Sequence, residues 1–152
     1  MNHPLRTQTS SLTNTLTLTT AAAGRILLSA IFVWSGWGKL TAPAATKAYM
    51  AAMAMPMVDV GYVVAVLIEL GLGLALLVGF KARWAALVLA GFSVVTGLIF
   101  HTNFGDQAQA INFMKNVAMA GGFLQVAAFG AGAFSIDALL GKRQAAAGPL
   151  AA

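Results

Sequence analysis

GYVVAVLIELGLGLALLVGF, residues 61–80, is an unbroken apolar run with a single carboxylate, Glu69, near its centre. About twenty residues at ~1.5 Å rise span the ~30 Å hydrocarbon layer of a bilayer. The run lacks the alternation of a barrel strand and is too long for one. It therefore predicts a membrane-crossing helix. Three further runs extend the pattern: Ala21 to Leu40, Trp84 to Phe100, and Val117 to about Ile136. The expected fold is an all-α integral membrane four-helix bundle.

Composition agrees. Of 152 residues, 59% are hydrophobic and 9% are charged, and the mean hydropathy is +0.82. A water-soluble domain carries about 25% charged residues, because its surface must be hydrated. The net charge of +5 is spread over loops and helix ends. With no basic patch interleaved with aromatics, nucleic-acid binding is not expected. There is no cysteine, which removes disulfides and thiolate metal or redox sites within the chain.

The Ser/Thr/Asn-rich stretch 1–20 reads as a mobile tail, 21–140 as the membrane domain, and 141–152 as a C-terminal tail. Between the first two spans, Ala44 to Met55 favours a helix halted by Pro56, suited to lying at the interface. The small residues Ala42-Pro43-Ala44 resemble a signal-peptide cleavage site, but Trp34, Trp37 and Lys39 read as an interfacial anchor instead. Basic residues set orientation. With the N-terminus inside, Arg6, Arg25, Lys81, Arg83, Lys142 and Arg143 lie inside, against Lys39, Lys47 and Lys115 outside. Both termini are thus expected in the cytoplasm.

Polar groups in hydrocarbon are expensive, so their placement carries information. Arg25, Ser29, Phe32, Gly36 and Lys39 make one stripe of the first helix. Tyr62, Ala65, Glu69, Gly73 and Leu76 make one on the second, and Ala86, Ala90, Ser93, Gly97 and His101 one on the third. The fourth stripe reads Lys115, Ala118, Gly122, Gln125, Phe129 and Gly132. Such small or polar faces are what helices packing in lipid require.

Glu69 is the sharpest signal, because an intramembrane acid is a functional candidate by default. The competing reading is a structural carboxyl paired with a neighbouring Lys or Arg. His101 is the second candidate catalytic group, for its acid–base versatility. Arg25, Lys39, Lys115, Asn116 and Gln125 are candidate ligand-binding residues. For the lysines, snorkelling to headgroups is the alternative, and for Gln125 a bridge between helices. Bis-histidine haem would need a second buried histidine, and the other one is His3 in the tail. Met50, Met53, Met55 and Met57 with His101 could attract Cu(I), but flexible apolar filler explains those thioethers better. No metal is expected.

Six motifs in order carry a family resemblance: Arg25, Ser35-Gly-Trp-Gly-Lys39, Glu69-Leu-Gly-Leu-Gly73 with Gly79-Phe-Lys-Ala-Arg83, His101, Asn112-Phe-Met-Lys-Asn116, and Gly130-Ala-Gly-Ala-Phe-Ser-Ile-Asp137. Together they resemble the DoxX family of bacterial membrane proteins over about residues 22–140. The last motif departs at Ala131, where the family usually has proline. The resemblance implies a multi-pass inner (plasma) membrane protein, associated with quinone-linked redox chemistry or with oxidative and electrophile stress. It implies at most an accessory subunit of an oxidoreductase, because the quinone-linked members work with a second protein region. The expected ligand is a lipophilic small molecule, foremost a quinone, with no cofactor carried by the chain itself. A lipid-binding or transport module and a membrane scaffold for a soluble oxidoreductase partner are the alternatives. A homo-oligomer is left open.

Overall fold

The computed structural model describes the backbone of residues 3–146 and the side chains of residues 15–145. Among them there are six helical elements and no strand. These are α1 (His3–Thr41), α2 (Pro43–Ala52), α3 (Val58–Val78), α4 (Ala82–Phe100), α5 (Gln107–Phe129) and α6 (Ile136–Ala146). Thr15–Thr41 of α1, all of α3 and all of α4 are long and apolar enough to cross a membrane.

The boundaries differ from the sequence reading in instructive places. Residue 20 is not a helix boundary, because α1 runs back to His3. Of the C-terminal tail, residues 141–146 end α6, while residues 1, 2 and 147–152 lie outside the described part. The fourth run is not among the spans that qualify by length and apolarity. Its helix, α5, starts ten residues before Val117 and takes in Gln107, Gln109, Asn112, Lys115 and Asn116. It stops at Phe129, because Gly130 (φ 88°) and Gly132 (φ 77°) take backbone angles that favour glycine. The helix expected over 44–55 is α2, and it ends at Ala52, before Pro56.

Local chemistry explains the punctuation. Pro43 opens the first turn of α2, where its missing N–H is not needed. Gly79 (φ 71°) closes α3: its N–H donates to Leu76 O and that of Phe80 to Ala75 O, the paired pattern of a left-handed glycine cap. At the start of α4 the N–H groups of Lys81 and Ala82 donate to the two carboxylate oxygens of Asp137, at 2.7 and 2.9 Å. Asp106 caps α5 by accepting from Ala108 N–H at 2.8 Å.

α4 and α5 form one closely packed hairpin, and α1 packs along α3. Phe32 joins the halves, edge-on to Phe123 (5.2 Å between centroids) and to Phe92 (6.3 Å). Leu76, Leu89 and Phe123 are fully buried beside Ala85, Ala86, Ala90 and Ala120. α1 meets α3 at Gly36, where a Cβ would lie 2.8 Å from Leu70 Cγ and 3.0 Å from Glu69 Cβ, whereas one on Gly38 would meet nothing within 4 Å. Gly36→Leu should therefore lower the detergent unfolding midpoint, by the ~1–3 kcal/mol typical of overpacking, and Gly38→Leu should not. Equal effects of the two substitutions in a thermal melt would mean that α1 does not approach α3 through Gly36.

Candidate functional site

Glu69 sits in a π-helical stretch of α3, Leu67–Leu72, flanked by α-helical turns. Such local widening is rare and recurs at functional sites. Here it lies directly against Gly36 of α1. The approach brings Lys39 within reach: its ammonium donates to Glu69 Oε2 at 2.8 Å and to Ser35 Oγ, one turn back, at 2.7 Å. The Lys39 carbonyl in turn accepts from the Tyr62 hydroxyl at 3.2 Å. Glu69 is 5% exposed, and the Lys39 side chain is 22% exposed. An ammonium has three N–H donors, so one remains for a ligand. Glu69 Oε1 takes no hydrogen bond among the described residues.

The pair lines a cavity of about 690 Å³, within the ~300–1,000 Å³ range of small-molecule sites. Its walls are mostly apolar, with Phe32, Phe92, Val95 and Ile99 prominent, and its polar points on α1, α3, α4 and α5 and at the end of α4 are Ser35, Lys39, Glu69, Thr96, Asn116 and His101. Asn116 donates to Asn112 O at 3.0 Å, and its Oδ1 lies 3.3 Å from the Thr96 hydroxyl. His101 Nδ1 is 2.7 Å from Gln109 Oε1. An amide oxygen only accepts, so Nδ1 is the donor in this contact, and Nε2 is left without a side-chain partner among the described residues. α2 roofs the cavity with Ala45, Thr46, Tyr49 and Met50. Tyr49 stacks on Phe100 (5.8 Å), and Lys47 pairs with Asp59 of α3 at 2.7 Å. The hydrogen bond and charge of Asp59 push the exposed Lys47 ammonium up.

Four of the seven candidates thus share one cavity: Glu69, His101, Lys39 and Asn116. Three do not. Arg25 is buried in the interior of α1, about four turns before Lys39, where Nη2 donates to Phe134 O at 2.7 Å. Lys115 and Gln125 lie on the exposed side of α5. Gln125 therefore makes no bridge between helices, and the stripe drawn through both residues is turned by about one residue. The inward face runs through Asn112, Asn116, Met119, Ala120 and Phe123. Thr96 and Gln109 were not picked out in the sequence, Ser35 entered only within a family motif, and α2 was expected as an interfacial helix but not as a cover for the cavity. Ser35, four residues before Lys39, could have been found by helical spacing. Among the described residues no group of three or more His, Asp or Glu could hold a metal.

Apolar spans long enough for a bilayer, around a polar pair and an apolar cavity, define a helical membrane protein with an internal cavity. The DoxX family model matches residues 20–102. The chain is 46% identical over 78% of its length to Inner membrane protein YqjF of Escherichia coli (strain K12), covering 90% of that protein. It is 33% identical over 74% of its length to Inner membrane protein YphA of the same organism, covering 84%. The chain belongs to the DoxX family. No solved structure matches it.

The ion pair makes a direct expectation. Glu69→Gln leaves Lys39 facing a neutral amide. Stranding a buried partner costs ~3–5 kcal/mol, and the exposure of Lys39 should reduce that to ~1–3 kcal/mol. Lys39→Met combined with Glu69→Gln should be more stable than the sum of the single changes, with a coupling of ~0.5–3 kcal/mol. Strict additivity in detergent unfolding would show that the two side chains are not paired.

Proposed function

We propose that the chain is an inner-membrane subunit whose cavity binds a small lipophile of the quinone class for a partner oxidoreductase. The observation that supports this is the Lys39–Glu69 pair, 2.8 Å apart, facing an otherwise apolar cavity. The names of YqjF and YphA point to the same compartment. In this reading α1, α3, α4 and α5 cross the bilayer and α2 lies at its outer face. Both termini are cytoplasmic, in keeping with the six-to-three division of basic residues. An alkaline phosphatase fused after Arg143 should then be silent; activity there would reverse the orientation.

A ring with two carbonyl oxygens fits donors placed apart on an apolar wall. When bound, a quinone supplies two-electron, two-proton chemistry at those oxygens. Lys39 would direct its free N–H at one oxygen and stabilise negative charge developing there. Glu69 would hold or pass the proton exchanged through Lys39. His101 and Asn116 would orient the far side of the ring. Lys115 and Gln125 fall outside this assignment, and Arg25 is a structural group. Electrons would come from the partner enzyme.

Mass spectrometry of organic extracts from protein purified in mild detergent is the test. A quinone should be retained by the wild type and lost from Lys39→Met and Glu69→Gln variants that remain folded. Retention of phospholipid alone would favour a lipid-binding module and remove the redox reading.

A further inference from the structure

The cavity is closed above and below but not on every side. α2 covers one end, with Met50 only 4% exposed, and below lies the fully buried layer of Leu76, Leu89 and Phe123. α4 packs chiefly on the Leu67–Val78 part of α3 and leaves its Val58–Val66 stretch. The two helices therefore part toward the roof. Cavity-lining residues that border this gap remain open to the outside: Val64 is 44% exposed, Val95 52% and Ile99 37%. In a membrane protein this gap meets acyl chains, not water. A polar solute would have to cross a Val/Ile-lined slot to reach Lys39, whereas a hydrocarbon chain lies in such a slot without losing contacts.

We propose that the gap between the Val58–Val66 stretch of α3 and the last two turns of α4 is a lateral portal to the bilayer. Its occupant is a chain-bearing lipophile whose neutral polar head sits at Lys39–Glu69 while its apolar chain lies in the portal. The head position rests on the reading given under Proposed function; the portal does not. Neutrality follows from the pair itself. The charges of Lys39 and Glu69 compensate each other at 2.8 Å, so an anionic head would face repulsion from Glu69 as well as attraction to Lys39.

Two measurements on the full chain in lipid nanodiscs separate portal from head. In the first, trifluoromethyl-phenyl-diazirine dissolved in the bilayer is photolysed and adducts are located by peptide mass spectrometry. Adducts are expected on the inner-wall residues Phe92 and Met119, and should be strongly reduced by Val95→Trp or Val64→Trp. Leu87→Trp, at an exposed α4 position outside the cavity lining, should leave them unchanged. Missing adducts, or indifference to both portal substitutions, would overturn the portal. In the second, binding of 2,3-dimethoxy-5-methyl-1,4-benzoquinone is compared with that of its decyl derivative. The decyl compound should bind at least ~10-fold tighter, since burying two methylenes already accounts for that factor, and Val95→Trp should abolish the margin. Equal affinities would overturn the chain assignment. Portal-dependent labelling without binding of either compound would uphold the portal and sink the quinone reading.

Discussion

In hydrocarbon the attraction between two opposite charges is strong, but so is the cost of bringing them there. Lys39 and Glu69 must therefore meet within hydrogen-bond distance or not be charged at all. Much of the local architecture serves that meeting. Gly36 removes the side chain that would hold α1 off α3, and the π-helical turn of α3 lies at the point of closest approach. Ser35 Oγ accepts from a second N–H of the ammonium, and Tyr62 ties the Lys39 backbone to the same helix that carries Glu69. Without the glycine the pair would be pushed apart, and the carboxylate would be left in an apolar wall.

The opposite end of the bundle is built differently. Arg25 is 4% exposed and anchors the Phe134 carbonyl, yet its Nε and Nη1 find no partner among the described residues. Gly79 packs onto this guanidinium so closely that no side chain could stand there. Asp137, in the first turn of α6, ties that helix to the start of α4 through two backbone N–H groups. Arg83 holds the last carbonyls of α5, with Ala128 O at 2.9 Å. These contacts join the interior of α1 to the ends of α3 and α5 and the start of α4, as one base. The cavity occupies the other half, where α4 and α3 part.

Periodicity made three of the four faces legible. On α1 the stripe Arg25, Ser29, Phe32, Gly36 is buried throughout, and on α3 so are Ala65, Glu69, Gly73 and Leu76. These helices carry few polar residues, and each of those points inward. On α5 polar residues occur all round: Lys115 and Gln125 drew the stripe to the exposed side, while Asn116, Ala120 and Phe123 mark the true one. Polarity alone was ambiguous there, because a helix-end lysine reaches water from either face. Two features had no readable signal. The π-helical turn arises within an ordinary apolar run, and the Asp137 cap joins residues about fifty-five apart in sequence. A Lys or Arg partner for Glu69 is legible in the sequence, but spacing does not select Lys39 over Arg25 or Lys115, because that choice depends on how α1 crosses α3.

Stability alone does not account for the Lys39 half of the molecule. A buried ion pair can usually be replaced by apolar residues of similar volume without loss, and often with a gain. A cavity is likewise destabilising, in proportion to the contacts its lining lacks. Both features occur at the same place, and the polar side chains around them turn toward the space and do not fill it. The base at the Arg25 end shows that this chain can pack Ala, Leu and Phe side chains to full burial where packing is all that is required. The contrast between the two halves is therefore itself an argument for ligand binding. The half that holds the Lys39–Glu69 pair also keeps the empty volume, and the free Lys39 N–H and the unpaired Glu69 oxygen supply the donor and acceptor that a bound head group would need.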